Sequence, residues 1–258
     1  MSGGPQNQAS PFNPGAVGAG DAGANSVTTR FWWVRHAPVA HEGRIYGQKD
    51  MPCDCTDSAV FAGLAHQLPR KAVWVVSNLR RTHETAQAIV RAGLPGPDAI
   101  PGPHAEAIPD LAEQNFGDWQ GMTYEELRHA RGGAFHRFWH APAHQRVPGG
   151  ESFVEMMARV DRAILALIEA HRGRDIIAVA HGGTIRSALG MALGLEPEHC
   201  LAFTMENCSL TRVDHIEGPG MGHNWRVITV NRPPTMDAGH RSDPGRGLLS
   251  ALTDRPPA

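Results

Sequence analysis

The chain has no long hydrophobic run, little net charge and few cysteines. None of its apolar stretches approaches the ~18 residues of a membrane span, so the sequence predicts no membrane partner. Its 24 Lys and Arg residues nearly balance 26 Asp and Glu residues, and a formal charge of −2 gives no general reason to bind nucleic acid or anionic lipid. We therefore expect a cytoplasmic protein without a membrane or nucleic-acid partner, either a monomer or a homodimer.

The four cysteines do not form a pattern typical of zinc sites. Cys53 and Cys55 are separated by one residue, whereas zinc-binding pairs usually have two residues between them, and Cys200 and Cys208 lie far downstream. Free thiols are typical of reducing compartments. We interpret all four as free thiols, with a metal or disulfide role as the alternative.

Several motifs that would indicate a bound cofactor are also absent from the sequence. Despite 15 histidines, no His-Glu-x-x-His motif occurs. No Gly-x-Gly-x-x-Gly follows an apolar run, and no Gly-x-x-x-x-Gly-Lys loop is present. We therefore expect no metal ion, no dinucleotide and no other cofactor.

The composition divides the chain into three parts. Residues 1–29 are rich in Gly, Ala, Asn, Ser and Pro, and they lack the basic start and the apolar stretch of about 7–15 residues that an export signal requires. They indicate a disordered leader. Residues 30–232 form the predicted globular domain, and residues 233–258, again rich in Pro and Gly, a mostly disordered tail.

Short apolar runs alternate with helical patterns in the predicted domain. Residues 30–34, 72–76 and 175–180 are too short for helices and, after Arg30 and Asp175 at the starts of two of them, continuously apolar, as in strands buried on both faces. Residues 208–216 and 224–230 alternate and are joined by a Gly-rich turn, which indicates an antiparallel hairpin. The predicted helices are 57–68, 81–92, 123–131, 152–168 and 184–193. We predict a three-layer α/β fold: a mainly parallel sheet, helices on both faces and the hairpin at its edge.

Two of the predicted strands end in a histidine. His36 follows the first strand and Arg35, while His181 follows the third strand and precedes Gly182 and Gly183. The carboxyl ends of parallel strands meet at one edge of a sheet, where α/β proteins bind ligands. The glycines also begin a helix whose first N–H groups can receive an anion. This arrangement predicts chemistry on an anionic group.

Two further segments bring polar side chains to this edge. The second strand leads into Ser77-Asn78-Leu79-Arg80-Arg81, which opens a helix. A loop-like stretch at residues 111–121 presents Glu113 near Phe116 and Trp119.

The ordered set of four motifs, spanning residues 30–231, resembles the histidine phosphatase superfamily. The resemblance implies that His36 is a nucleophile that forms a phosphohistidine and that Glu113 is the proton donor. It assigns the binding of the phosphoryl group to Arg35, His36, Arg81, His181 and Gly182. Aligning Thr85-Ala86 with the Thr-Ala that closes the family motif selects Arg81 over Arg80.

The charges of these residues suit the implied roles. Two guanidinium groups near His36 disfavour an imidazolium there and keep the attacking nitrogen free. Their forked geometry matches phosphate oxygens. We expect His181 to act as an imidazolium beside the phosphoryl group.

Residues 127–150 contain no carboxylate but four arginines and four histidines. One interpretation is a lid over the site, which favours a substrate with a ring or several anionic groups. The other is a helical hairpin with a solvated basic face. The candidate residues on the substrate side are Tyr46, Trp119, Arg137 and Arg146.

The sequence thus favours a metal-independent phosphomonoesterase that acts on a small phosphorylated metabolite. The Arg-His-Ala-Pro start and the compact length resemble the α-ribazole phosphatase branch. A phosphoglycerate mutase is the main alternative, although a core of about 200 residues leaves little room for the insertions of cofactor-dependent mutases. A non-catalytic phosphate-binding module is the third.

Overall fold

A six-stranded mixed sheet forms the centre of the structure, a computed structural model that describes residues 26–96, 105–129, 141–218 and 224–234. Its strands are β1 (Val27–Arg35), β2 (Val73–Val76), β3 (Glu106–Ala107), β4 (Asp175–Ala180), β5 (Leu210–Glu217) and β6 (Trp225–Arg232). They lie in the order β3-β2-β4-β1-β5-β6. The first four are parallel, and β5 and β6 are antiparallel to their neighbours. The predicted parallel sheet with an antiparallel edge hairpin is confirmed.

Some of the helices begin after side chains that cap them. The helices are α1 (Ser58–Gln67), α2 (Arg80–Arg91), α3 (Phe153–Ala170), α4 (Gly182–Leu193) and the short α5 (Pro197–Cys200). Asp57 accepts hydrogen bonds from the first turn of α1, and Ser152 with Glu155 forms a capping box on α3. Thr123 and Glu126 exchange the same pair of bonds before a helical segment at residues 124–129. None of the helices in these ranges has the length and apolarity that crossing a bilayer demands.

The two faces of the sheet are covered by different helices. In β4, Ile176, Ala178 and Ala180 belong to one core cluster, and Ile177 and Val179 to a second. The first cluster includes buried residues of α3 and α4, and the second includes buried residues of α1 and α2. This alternation follows from the two-residue period of a strand and confirms the three-layer arrangement.

The first strand begins earlier than predicted. β1 starts at Val27, so the boundary between leader and domain that we placed after residue 29 is three residues too late. Val27 pairs with Glu217 and Thr29 with His215. Pairing with the long strand β5 therefore extends β1 at its start, over residues 27–29, which contain no apolar run that would indicate a strand. Residues 1–25 of the leader and 235–258 of the tail lie outside the described residues.

Strand β3 is also absent from the sequence prediction. It has two residues, both exposed, and pairs with β2 at the edge of the sheet. A strand of this length carries no periodic signal. Pairing with β2, rather than a pattern in its own sequence, gives β3 its strand conformation.

The order of the strands brings β1 and β4 together. Arg35 pairs with Ala180 at the carboxyl end of both strands. The chain leaves β1 toward α1 and leaves β4 toward α4, and these helices cover opposite faces. Open α/β sheets have their ligand crevice at such a point.

Candidate active site

His36 is the first residue after β1, and its side chain is held by the backbone. Its ring Nδ1 lies 2.7 Å from the carbonyl oxygen of Ala37, which can only accept, so Nδ1 carries the proton. The backbone N–H of His36 donates to the carbonyl of Ala180, and the backbone carbonyl of His36 accepts from the side-chain amide of Asn207. In the neutral ring, Nε2 therefore retains its lone pair.

His181 follows β4 and lies beside His36. The two ring centroids are 5.1 Å apart and the planes are inclined by 59°. Ser77 Oγ lies 2.7 Å from His181 Nε2. The N–H of Leu79 donates to the same hydroxyl. Ser77 can give its own proton to Nε2, with the ring proton then on Nδ1, or it can accept from an Nε2–H. That Nδ1 is buried and has no hydrogen-bond partner among the described residues.

The two predicted arginines also belong to this site. Arg35 donates through Nη1 to the carbonyl of Met205. Arg81, fully buried, donates to the carbonyls of Gly47 and Lys49, at 2.6 and 2.9 Å. In both side chains Nε is buried and lacks a partner within the part of the chain that the structure describes. Buried donors without an acceptor are uncommon, and an anion between them would satisfy both.

Arg80 occupies a different environment from Arg81. Its side chain is 59% exposed and forms an ion pair with Glu84 one turn later. The structure therefore brings Arg81, and not Arg80, to the edge of the sheet.

Glu113 reaches the site from the loop after β3. The N–H of Gly183, in the first turn of α4, lies 3.3 Å from Glu113 Oε2, and the N–H of Gln114 lies 2.9 Å from Oε1. Arg81 and Arg186 both interact electrostatically with this carboxylate. The first residues of α4 thus join Glu113 to His181.

Arg159 of α3 supports the backbone of this loop. Its guanidinium donates to the carbonyls of Asp110, Ala112 and Glu113, all at 2.8–2.9 Å. It also forms a two-pronged ion pair with Glu151, at 2.6 and 3.0 Å. The Arg159 side chain therefore holds three backbone carbonyls of the loop that carries Glu113.

The surroundings of His36 favour its neutral form. Burial, followed by the charges of Arg81 and Arg35, holds the pKa of His36 well below its usual value, although the bond to Ala37 opposes this. A neutral imidazole is the nucleophilic form. We expected the two arginines to disfavour an imidazolium at His36, and the lowered pKa agrees with this. Burial, however, lowers the pKa more than the arginines do.

The surroundings of His181 in the protein itself also favour its neutral form. Burial, and then the charges of Arg81, His36 and Arg35, lower the pKa of His181 well below its usual value. The protein alone therefore favours a neutral His181 near pH 7 rather than the predicted imidazolium. The sequence placed this histidine beside an anion but did not show how completely it would be buried.

Of the three candidate residues on the substrate side that the structure describes, Tyr46 lies beside the histidines, whereas Trp119 and Arg146 do not. The ring of Tyr46 meets that of His36 edge-on with centroids 6.3 Å apart, and the Arg81 guanidinium lies 5.0 Å from the Tyr46 centroid. Trp119 is buried in a small apolar cluster with Ile45, Phe116, Leu127 and Val147. This packing replaces its predicted contact with substrate.

The basic segment at residues 127–150 is described in part. Arg146 is exposed, donates to the carbonyl of Gly150 and pairs with Glu155 at 3.1 Å, so it stabilises the start of α3 rather than the site. Arg137 lies outside the described residues, together with the rest of residues 130–140, and its predicted place in a lid stays a prediction. Within the described ranges, no three His, Cys, Asp or Glu side chains are placed to hold a metal ion.

Four residues with roles at this site were not singled out from the sequence: Ser77, Asn207, Arg159 and Arg186. Ser77 stands within the segment quoted for Arg81, and Arg186 follows His181 by five residues in the motif that begins with that histidine. Asn207 lies in the segment Glu206-Asn207-Cys208-Ser209 ahead of the edge hairpin, which also resembles a segment of the superfamily, but the sequence alone assigns this residue no role. Arg159 lies on the polar side of an ordinary amphipathic helix, so its loop contacts are visible only in three dimensions.

Comparison with known proteins agrees with this geometry. The model of the histidine phosphatase superfamily (branch 1) matches residues 31–228. The chain belongs to this superfamily. The predicted family is confirmed. The predicted nucleophile His36 and the predicted proton donor Glu113 lie within the matched range.

Named relatives and solved structures cover most of the chain. A probable phosphoglycerate mutase GpmB of Yersinia enterocolitica is 27% identical over 208 residues, which are 79% of this chain and 93% of that protein. The mycobacterial glucosyl-3-phosphoglycerate phosphatase is 26% identical, with a TM-score of 0.65 over 81% of this chain and all of that one. The α-ribazole phosphatase of Shigella flexneri, 22% identical with a TM-score of 0.64 over 79% of this chain and 98% of its own, shows a shared fold. This histidine phosphatase is therefore similar to one named phosphatase and to a probable mutase.

Proposed function

We propose that the protein is a metal-independent phosphomonoesterase that hydrolyses a small phosphorylated metabolite through a phosphohistidine on His36. The observation that carries this proposal is the bond from His36 Nδ1 to the Ala37 carbonyl. It fixes the tautomer in which Nε2 is free to attack phosphorus. The Nε atoms of Arg35 and Arg81, which have no partner among the described residues, supply donors for the phosphoryl oxygens, as does Nδ1 of His181 in its Nδ1–H form.

The first half-reaction transfers the phosphoryl group to the enzyme. The Nε2 lone pair of His36 forms a bond to phosphorus while the ester P–O bond breaks. Glu113 enters this step as the acid and gives its proton to the leaving alkoxide, which departs as an alcohol. Donors fixed before the reaction begins stabilise the equatorial oxygens in the transition state.

The second half-reaction returns the enzyme to its starting state. The Glu113 carboxylate takes a proton from water, and the water oxygen bonds to phosphorus as the P–N bond breaks. Inorganic phosphate leaves, His36 is again neutral and Glu113 is again the acid. Division into two displacements replaces one difficult step with two easier ones.

The charge of the site supports metal-independent catalysis. Arg35 and Arg81 both act on His36 and His181, which places positive charge where a catalytic cation would have to lie. Like charges repel, and the guanidinium groups themselves can neutralise phosphate. We expect full phosphatase activity after dialysis against EDTA. A loss that added Mg²⁺ or Zn²⁺ restores would contradict this part of the proposal.

Phosphoglycerate mutase activity is the second candidate, because relatives of similar length carry that name. The same phosphohistidine would then return its phosphoryl group to another hydroxyl. Incubation with 3-phosphoglycerate separates the two. Accumulation of free phosphate supports hydrolysis, and accumulation of 2-phosphoglycerate without free phosphate supports the mutase.

The decisive experiment detects the covalent intermediate. A rapid alkaline quench of wild-type protein during turnover of p-nitrophenyl phosphate, followed by peptide mass spectrometry, is expected to show phosphate on His36. The variant His36→Asn keeps a side-chain N–H for the Ala37 carbonyl but has no nucleophile. It is expected to show neither label nor turnover, and equal turnover in both proteins would exclude the proposed intermediate.

A further inference from the structure

Arg186 is a further guanidinium at this site, and the mechanism above does not use it. It lies on α4, one turn after Gly182, and its Nε donates to the carbonyl of Phe203 at 2.8 Å. Met205, two residues after Phe203, accepts from Arg35. One segment between α5 and β5 therefore holds Arg35 and Arg186 side by side through two of its carbonyls.

Both guanidinium groups face the same bare turn of the helix. A Cβ built on Gly182 would lie 3.7 Å from Arg35 Nε and 3.8 Å from Arg186 Nη1. Long helical side chains extend back toward the N-terminus, so Arg186 reaches the turn that presents the first N–H groups of α4. The absence of a side chain at residue 182 leaves this approach open.

Arg186 is also coupled to the proposed proton donor. Burial is the main cause that lowers the pKa of Arg186 to about 10, Arg35 lowers it further and Glu113 raises it. At neutral pH the group is still a cation. Its terminal nitrogens hydrogen-bond to no acceptor in the described ranges, whereas Arg81 uses both of its own on backbone carbonyls. Arg186 therefore keeps donors for a group outside the protein.

We propose that Arg186 determines specificity by binding a second anionic group on the alcohol part of the substrate. The inference rests on the proposed function, since Glu113 marks the side from which the leaving group departs. Arg35 and Arg81 serve the phosphoryl group, and Arg186, on the Glu113 side, serves a carboxylate near the ester oxygen. The substrate class is then phosphomonoesters of hydroxy acids.

Two probes with the same carbon skeleton test this proposal. In 3-phosphoglycerate a carboxylate stands where glycerol 3-phosphate has a hydroxymethyl group. We expect wild-type kcat/KM to be higher for 3-phosphoglycerate, and Arg186→Gln to reduce the ratio of the two values at least tenfold, mainly through KM. Arg186→Lys keeps the charge and is expected to recover part of the ratio.

The matched control is Arg162→Gln. Arg162 is an exposed arginine on α3 that pairs with Asp110 at 3.7 Å, and its removal is expected to leave the ratio unchanged. An equal loss of kcat/KM for both probes in Arg186→Gln would assign Arg186 a structural or phosphoryl role and overturn the proposal. A ratio that does not change would overturn it as well.

Failure of the proposed function is recognised separately. If folded wild-type protein hydrolyses neither probe, calorimetric binding to His36→Asn replaces kinetics. Preference for 3-phosphoglycerate that disappears in His36→Asn/Arg186→Gln supports the role of Arg186 without hydrolysis. Binding without preference, or a preference that survives in the double variant, overturns it.

Discussion

The N–H of Gly183 donates a hydrogen bond to Oε2 of Glu113 across 3.3 Å. This bond joins the first turn of α4, which directly follows His181, to the loop that carries the proposed proton donor. A Cβ built on Gly183 would lie 2.3 Å from Glu113 Oε1 and 3.1 Å from the Met156 side chain. The carboxylate occupies the space that any larger residue at 183 would need.

The substitution Gly183→Ala is therefore expected to displace Glu113 and reduce kcat at least tenfold. Alanine is a better helix former than glycine by about 1 kcal/mol, so the helix itself should remain. Steady-state kinetics and circular dichroism measure the two effects. In Gly182→Ala the added Cβ meets no protein atom closer than 3.7 Å, and a smaller loss is expected. Unchanged kcat in Gly183→Ala would contradict the position assigned to Glu113.

Arg159→Met should weaken both the fold and the proton transfer. It removes the donors to three loop carbonyls and leaves the mostly buried Glu151 carboxylate without its cation. Breaking a buried ion pair on one side costs about 3–5 kcal/mol, and partial exposure places this case at the lower end. Urea unfolding measures the stability, and kcat measures the position of Glu113.

Arg162→Met is the matched control for Arg159→Met. It lies on the same helix, its side chain is 67% exposed, and it pairs with Asp110 of the loop at 3.7 Å. Its expected cost is below 1 kcal/mol, as for most surface pairs. Equal effects of the two substitutions would contradict a specific role of Arg159.

Site residues that directly follow a strand could be predicted from the sequence, whereas residues that hold the site's loops in place could not. His36 and His181 follow continuous apolar runs, and the parallel sheet brings such ends together whatever the loops do. Arg159 binds carbonyls 46–49 residues away, and a contact with backbone leaves no trace in residue type. Trp119 resembled a pocket residue because aromatic side chains suit both a core and a binding site.

The burial of both histidines predicts a loss of stability in mild acid. Their folded-state pKa values lie below the usual value near 6.5. Below that pH the unfolded chain binds protons that the folded chain does not, so the free energy of unfolding falls as the pH falls. Each group contributes up to about 1.4 kcal/mol per pH unit in that range. The loss begins near pH 6.5 and continues until the folded-state pKa values are reached.

Thermal unfolding at pH 7.5 and pH 5.5 measures this dependence. The double variant His36→Asn/His181→Gln keeps hydrogen-bonding side chains but cannot titrate, and its Tm should fall less than that of the wild type over this interval. Carboxylates that titrate below pH 5 are shared by both proteins and cancel in the comparison. Parallel curves would show that these imidazoles are not the groups held neutral by the fold.

Ser77→Ala tests the tautomer of His181. The hydroxyl lies 2.7 Å from His181 Nε2, and its removal leaves a buried ring nitrogen without a partner, at a cost of about 1–3 kcal/mol. The ring can then place its proton on Nε2, which removes the Nδ1 donor from the phosphoryl site. We therefore expect kcat/KM to fall about tenfold, which corresponds to 1.4 kcal/mol of transition-state stabilisation.

Ser209→Ala is the control that shows what the loss of a buried hydroxyl does when that hydroxyl does not contact His181. Ser209 is as buried as Ser77, but its Oγ has no hydrogen-bond partner among the described residues, so its removal should change neither stability nor kcat/KM by much. Proton–nitrogen correlation spectra of the histidine rings would report the tautomer directly. The Nδ1–H form of His181 in wild type and a shift toward Nε2–H in Ser77→Ala are expected. A ring already protonated on Nε2 in wild type would mean that Ser77 accepts from His181, and His181 would then offer no Nδ1 donor to the phosphoryl group.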